Sequence, residues 1–522
     1  MKKLFLLALL LVAAPTAAAP PAGFDERVET LRKSAGLPGM AIAIVEDGKA
    51  TLTRGYGVRK LGGTQTVDAD TIFMTGSTGK ALTVAALATL VDAGKLGWDD
   101  KVVDRLPGFQ MYDAWVTREM TVRDLLVHRS GLGLGAGDLM FVPRSNRTRA
   151  DMLEGLRHIK PATSFRSGYA YDNILYTVAG ALIEAVSGQS YESYMRDHVF
   201  RPAGLSTATS DEPSRLGTAN RAFPHARVSG PIRGLGPLQQ LDERDQLGAA
   251  STPAGLLAMS ANDLSKWLNI QLTHGKTADG GRLFSDASSA AMWDPQTIEP
   301  NPPAPPGFED TRPMFKTYAL GWEVSDYGGV KIVSHSGGVF GFITMVVLIP
   351  DKNVGFAITM NAEESALRRG LTNELLDHYL GRPQVDWVSR YTKFLEERLA
   401  GAKAAVEAKA AAPAKVGPSL SLDRYAGQYK DPWYGRITVA RSKAGLAIDF
   451  NETPRMSGPL EHYQYDTFVA RFDDKGIEPA YVTFGLDAEG KVERITMKPV
   501  SPTADFSFDY QDLNFTPVKA GK

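Results

Sequence analysis

Ser77 and Lys80 stand three residues apart in Phe73-Met74-Thr75-Gly76-Ser77-Thr78-Gly79-Lys80, directly before the apolar run Ala81 to Val91. Residues three apart on a helix share a face, so the Ser77 hydroxyl and the Lys80 amine can meet at one point. A helix cap explains the serine but not the lysine. A capping box wants Glu or Gln three residues on, and a cation opposes the positive end of the helix dipole. Two other chemistries fail on spacing. A phosphate loop needs glycine where Met74 stands and Ser or Thr where Ala81 stands. A nucleophile elbow needs glycine where Thr75 stands. What remains is S-x-x-K, a serine nucleophile with a lysine neighbour.

A serine nucleophile requires a base, an oxyanion hole and an edge that holds substrate. Three further stretches fit those needs: Gly168-Tyr169-Ala170-Tyr171-Asp172-Asn173 before a helical pattern, Val333-Ser334-His335-Ser336-Gly337-Gly338 at the end of a strand pattern, and Leu125-Leu126-Val127-His128-Arg129-Ser130-Gly131. His128 and Arg129 read as structural, since nothing in the sequence places them at the serine. Tyr171 has a bland rival as a core tyrosine, and Asn173 as a helix cap.

The elements that must carry these residues follow from periodicity. Phe24, Val28 and Leu31 recur at helical spacing. Met40 to Val45 and Lys49 to Tyr56 read as strands joined by the hairpin signal Asp47-Gly48. The run after Ser77 is apolar nearly all round, the mark of a buried helix, and Gly94 is its stop. Short helices are expected over Val122–Val127 and Arg149–His158, longer ones over Asn173–Ser187, Tyr191–Phe200 and Ala261–Leu272. Residues 205–250 show no period and read as a long excursion; with the Gly131–Gly137 loop and the C-terminal domain they are expected to shape a pocket. Strands are expected over Leu320–Val324, Val330–Ser336, Phe342–Ile349 and Val354–Met360, with tight turns that make them antiparallel. Helical periodicity resumes over Glu363–Leu380. The expected architecture is α+β: one antiparallel sheet built from both chain ends, flanked by helices, with an inserted helical lobe. Residues 384–411 read as helix running into an Ala- and Pro-rich linker. Regular turns from Tyr425 to Asp509 predict a small antiparallel β domain or barrel.

Composition narrows the function. The chain has 522 residues, Lys+Arg 58 against Asp+Glu 59 and no cysteine. Balanced charge argues against a nucleic-acid partner, and the missing thiols exclude disulfides and a cysteine nucleophile. No H-E-x-x-H is present, so no metal or other cofactor is expected. Lys2-Lys3, the apolar run Leu4 to Val12 and Ala17-Ala18-Ala19 describe a secretory signal peptide cleaved near Ala19. A periplasmic or secreted protein is expected, with no membrane span after cleavage.

In combination and order, these stretches resemble the serine β-lactamase and penicillin-binding-protein superfamily. The nearest branch is the one shared by class C β-lactamases, D-stereospecific peptidases and esterases. Ser77-Thr78-Gly79-Lys80 resembles its S-x-x-K, Tyr171-Asp172-Asn173 its Y-x-N, and His335-Ser336-Gly337 its third box, K-T-G in lactamases and often H-x-G in the esterase and peptidase relatives. Leu125–Gly131 and Tyr318-Ala319-Leu320-Gly321-Trp322 are similar to further stretches of that branch. The resemblance covers about residues 25–380. Residues from about 419 resemble a β-barrel appended to such enzymes, some of them self-compartmentalising. It implies domains over 20–382 (hydrolase), 383–418 (helical linker) and 419–522 (β domain), after a signal over 1–19.

The resemblance implies an acyl-enzyme on Ser77 and cleavage of ester or amide bonds in a small-molecule or peptide substrate, D-residue peptides among them. Tyr171 is the expected general base, with neutral Lys80 the alternative. Asn173 would bond Lys80 and the substrate amide. The backbone N–H groups of Ser77 and Gly338 would form the oxyanion hole, with Gly337 and Gly338 allowing close approach. His335 lies on the substrate-holding edge, where a lactamase has a lysine. The rival functions are a β-lactamase or D-alanyl-D-alanine carboxypeptidase, and a penicillin-binding-like recognition module without turnover. The β domain allows oligomerisation.

Overall fold

The computed structural model describes residues 20–518 apart from 245, 412–415 and 444. The signal peptide read over 1–19 lies outside the described residues, as do the middle of the linker and the extreme C-terminus.

The hydrolase domain is organised on an eight-stranded antiparallel sheet. Its strands, in chain order, are β1 (Gly39–Glu46) and β2 (Lys49–Gly57) from the N-terminal end and, after an intervening lobe, β7 (Thr297–Ile298), β8 (Lys316–Tyr318), β9 (Glu323–Tyr327), β10 (Val330–Val339), β11 (Phe342–Ile349) and β12 (Val354–Met360). Four two-residue strands within the lobe, β3 (Phe73–Met74), β4 (His225–Ala226), β5 (Gln239–Gln240) and β6 (Ala258–Met259), form two small ladders, β3 with β6 and β4 with β5. The spatial order of the main sheet is β2-β1-β12-β11-β10-β9-β8-β7, so both chain ends do build one sheet. In β1 every residue is buried, because both faces of the sheet are covered. Ala41, Ala43 and Val45 enter the core shared with the helical lobe, while Met40, Ile42 and Ile44 enter a second core under helices Phe24–Ala35 and Ser365–Tyr379. Coverage on both sides turns an alternating pattern into a continuous apolar run. At the β1–β2 hairpin, Asp47 (φ 48°) and Gly48 (φ 79°) both take the left-handed conformation that a type I′ turn requires.

Two expected elements come out differently. The helix over Val122–Val127 shrinks to a single 3₁₀ turn, Arg123–Leu125. There the Asp124 carboxylate accepts from Thr121 N and Oγ1 and from Arg129 and Arg166, holding the chain in a turn instead of a ladder. The strand over Leu320–Val324 begins only at Glu323. Residues 319–322 turn inward against the serine-bearing helix, where a Cβ on Gly321 (φ 77°) would stand 3.0 Å from Ala81 Cα.

The long helix Trp387–Ala411 packs its first turns along Ser365–Tyr379. Trp387 Nε1 donates to the buried Asp377 at 2.6 Å, and a Cβ on Gly370 would fall 2.4 Å from Val388. Its later, Ala-rich turns are solvated. Beyond it, β13 (Gly427–Asp431), β14 (Gly435–Ser442), β15 (Gly445–Phe450), β16 (Ser457–Gln464), β17 (Thr467–Ala470), β18 (Ala480–Leu486), β19 (Val492–Pro499) and β20 (Asn514–Pro517) close into an antiparallel barrel through the β13–β20 pairing. Ile437, Val439, Ile448, Phe450 and Ile495 fill its interior, as alternation along barrel strands demands.

Candidate active site

Ser77 lies in a 3₁₀ turn, Gly76–Gly79, that runs into the buried helix Lys80–Asp92. The turn is pinned from behind: β3 pairs with β6, and Thr75 N donates to Leu257 O at 2.9 Å. Ser77 does not cap the helix by any side-chain bond. Lys80 is fully buried, and its Nζ lies 2.7 Å from Asn173 Oδ1, 2.7 Å from Ala254 O and 3.0 Å from Ser77 Oγ. Burial pushes its pKa down to about 7, against the pull of Asp138 and Asp172. Neutral lysine has two N–H donors and one lone pair. The two shorter contacts take the donors, Asn173 Oδ1 and the Ala254 carbonyl both being pure acceptors. The lone pair is then left for the proton of Ser77.

Tyr171 stacks its ring beside this group, with Lys80 Nζ 4.9 Å from the ring centroid. Burial raises its phenol well above the usual range, and Ser77 is the neighbour that opposes the rise. Its hydroxyl faces Ser77 without reaching full hydrogen-bond geometry. Tyr171, the first candidate for the base in the sequence, and Lys80, its alternative, thus both stand beside Ser77. His128 is structural, as read from the sequence, but it packs beside the site. It is buried, its ring lies 4.1 Å from that of Tyr171 and 4.4 Å from that of Tyr318, and its Nδ1 accepts from Asp172 N at 3.2 Å. It therefore supports the site's wall. Arg129 is structural as expected, bonded to Asp124.

Asn173 precedes helix Ile174–Ser187 but makes no capping bond. Its amide is spent on the site: Oδ1 accepts from Lys80, and Nδ2 donates to Asp138 Oδ2 at 2.8 Å. Asp138 is buried, and burial raises its carboxyl to about 8. The sequence reading missed both Asp138 and the Ala254 carbonyl. Asp138 follows the Gly131–Gly137 loop, which was singled out, but nothing local marks the carboxylate as part of the site.

His335 lies on β10 and lines the same cavity as Ser77. Its Nδ1 is 2.6 Å from Ser336 O, a pure acceptor, so Nδ1 carries the proton and Nε2 accepts from the Tyr318 hydroxyl at 2.8 Å. Burial, helped by the charge of Lys80, pushes its pKa to about 3. The ring is neutral at any working pH and offers no cation to a substrate carboxylate. Gly337 and Gly338 bring β10 against the serine turn. A Cβ on Gly337 would stand 2.0 Å from Thr75 O, and one on Gly76 (φ 55°) 2.4 Å from Gly338 N. Only glycine permits that approach. The cavity in front of Ser77 measures about 920 Å³, and the 205–250 excursion contributes Ala226, Arg227, Arg233 and Leu238 to its wall.

The Beta-lactamase family model matches residues 24–380. The chain belongs to the β-lactamase family. Residues 411–517 of this family member match a domain of unknown function, DUF3471. It is 30% identical over 423 residues to the unguisins hydrolase ungD' of Aspergillus campestris, covering 77% of this chain and 74% of the relative. It is also 30% identical over 350 residues to penicillin-binding protein 4 of Amycolatopsis lactamdurans, covering 65% and 85%. The octameric penicillin-binding-protein homologue from Pyrococcus abyssi shares its fold with a TM-score of 0.58 at 20% identity, covering 91% of this chain and 97% of that one. This is a hydrolase family of the β-lactamase and penicillin-binding-protein-like kind, and the Ser77 cluster falls within the matched region.

Proposed function

We propose that this β-lactamase family member is an exported serine hydrolase that cleaves ester or amide bonds through an acyl-enzyme on Ser77. The observation that carries the reading is the buried Lys80 amine, held 3.0 Å from Ser77 Oγ with both donors occupied. Lys80 takes the Ser77 proton as Oγ attacks the carbonyl carbon. The oxyanion is met by the backbone N–H groups of Ser77 and Gly338. The bond to the leaving alcohol or amine then breaks, and the proton passes to that group from Lys80 by way of the Tyr171 hydroxyl. Water repeats the sequence on the acyl-serine and releases the acid. Relatives named as hydrolases support bond cleavage, and a cavity of about 920 Å³ suits a peptide-sized substrate better than a small ester.

A panel of short acyl esters, D-amino-acid amides and a chromogenic cephalosporin tests the substrate class. Neutral His335 forfeits a charge-assisted contact to a substrate carboxylate. Esters or amides should therefore lead the cephalosporin by about 10- to 100-fold in kcat/KM. A cephalosporin preference would favour the β-lactamase reading instead. A Ser77 that takes no fluorophosphonate label would favour a recognition module.

Export is read from residues 1–19. Expression of the whole chain in a bacterium should place it outside the cytoplasm with a mature N-terminus near Pro20. A cytoplasmic protein retaining Met1 would contradict this.

A further inference from the structure

The connection between β19 and β20, residues 500–513, leaves the barrel and lies against the hydrolase domain. Hairpin strands need only about 2–5 residues to connect them, and much longer connections are usually functional. This one is buried at Ser507, Phe508, Asp509 and Tyr510. Asp509 accepts from Gly137 N at 2.8 Å and Leu139 N at 3.0 Å, pinning the loop that carries Asp138. Ser507 Oγ donates to Asp138 Oδ2 at 2.8 Å, the same oxygen that accepts from Asn173 Nδ2. An unbroken chain of hydrogen bonds thus runs from the β domain to the serine: Ser507, Asp138, Asn173, Lys80, Ser77. Next to it, Phe506 stands edge-on to Tyr171 with ring centroids 5.9 Å apart and lines the cavity. Gly135 (φ 70°) is required beneath it, since a Cβ there would lie 2.7 Å from Phe506 O.

The Asp138 carboxyl depends on this strap. Its Oδ1 has no hydrogen-bond partner among the described residues, so Asn173 and Ser507 supply its donors. A buried carboxyl stripped of a donor is costly and rearranges. Here rearrangement means turning the Asn173 amide and so loosening the acceptor that aims the Lys80 lone pair at Ser77.

We propose that the 503–509 strap of the β domain is a working part of the active site. Ser507 is a positioning residue that acts through Asp138 and Asn173 on Lys80. Phe506 is a specificity-determining residue that limits the substrate group lying across Tyr171. The proposal rests on the serine-hydrolase reading above, and the experiment separates the two.

The full-length chain is compared with S507A, S507T and F506A, using p-nitrophenyl acetate, p-nitrophenyl octanoate and a fluorophosphonate, with melting curves taken alongside. In S507A, kcat and the rate of Ser77 labelling should fall by about 10-fold while KM stays within about 2-fold, and S507T should recover most of the loss. F506A, at a part-exposed side chain, should raise the octanoate-to-acetate ratio of kcat/KM by about 10-fold. Wild-type kcat and labelling in a folded S507A, or a loss that S507T does not recover, overturn the positioning role. An unchanged ratio in F506A overturns the specificity role. A wild-type Ser77 that takes no label overturns the hydrolase reading itself, and the strap's catalytic role with it.

Discussion

Ser77→Ala should lower kcat/KM by on the order of 10⁴-fold or more, the scale on which loss of a serine nucleophile acts. The fold should barely notice. Ser77 is only partly buried and caps no helix, and its hydroxyl faces Lys80 and Tyr171, the site's own groups. Its melting temperature should therefore stay within a few degrees, since the change opens no cavity and leaves the buried Lys80 amine its bonds to Asn173 and Ala254. The pairing of large catalytic loss with small structural loss distinguishes a nucleophile from a buried structural serine. Mass spectrometry adds an independent reading: the wild type should gain one acyl or phosphonyl group on the peptide carrying Ser77, and the variant none. An alanine variant that still turns over substrate would sink the mechanism.

Lys80→Met should be nearly as damaging, about 10³-fold or more in kcat/KM, because it keeps the side-chain volume and removes the base. The pH profile carries the sign. Burial lowers the Lys80 pKa to about 7, and the active form is the neutral amine. Activity should fall about tenfold per pH unit below about 7 and reach a plateau above it. His335 contributes no second limb in the working range, since burial holds it neutral down to about pH 3. Linkage adds a stability signature. The amine titrates near 7 when folded and near the ordinary lysine value of 10.5 when unfolded. Between those values the unfolded chain binds the extra proton, so this group's contribution to stability rises with pH across that window and is lost as pH falls toward 7. Lys80→Met should flatten that dependence. A wild-type rate profile flat through pH 5–9 would remove Lys80 from the role of base.

The expectations met most closely concern pattern. The all-round apolar run after Lys80 announced a buried helix, Asp47-Gly48 announced a type I′ hairpin, and evenly spaced turns after Tyr425 announced the barrel. Where local signals met tertiary demands, they gave way. The 122–127 helix yielded to the Asp124 hydrogen-bond cluster, and the 320–324 strand yielded to the approach of Gly321 to Ala81.

The sequence by itself determined which residue types are available for acyl transfer and in what order, because S-x-x-K, Y-x-N and H-x-G are each carried on short segments whose spacing is local. It also determined that a helix must present Ser77 and Lys80 together. The tertiary structure alone decided the state of those groups. Burial, not sequence, lowers the Lys80 amine to about 7, raises the Tyr171 phenol above its ordinary range, and lowers the His335 imidazole to about 3. It also brought in partners from far along the chain: the Ala254 carbonyl, Asp138 and, from the barrel, Ser507 and Phe506. The reason is physical. Desolvation and hydrogen bonding depend on what surrounds an atom in three dimensions, and residues 138, 254 and 507 meet only after the sheet and the barrel have closed.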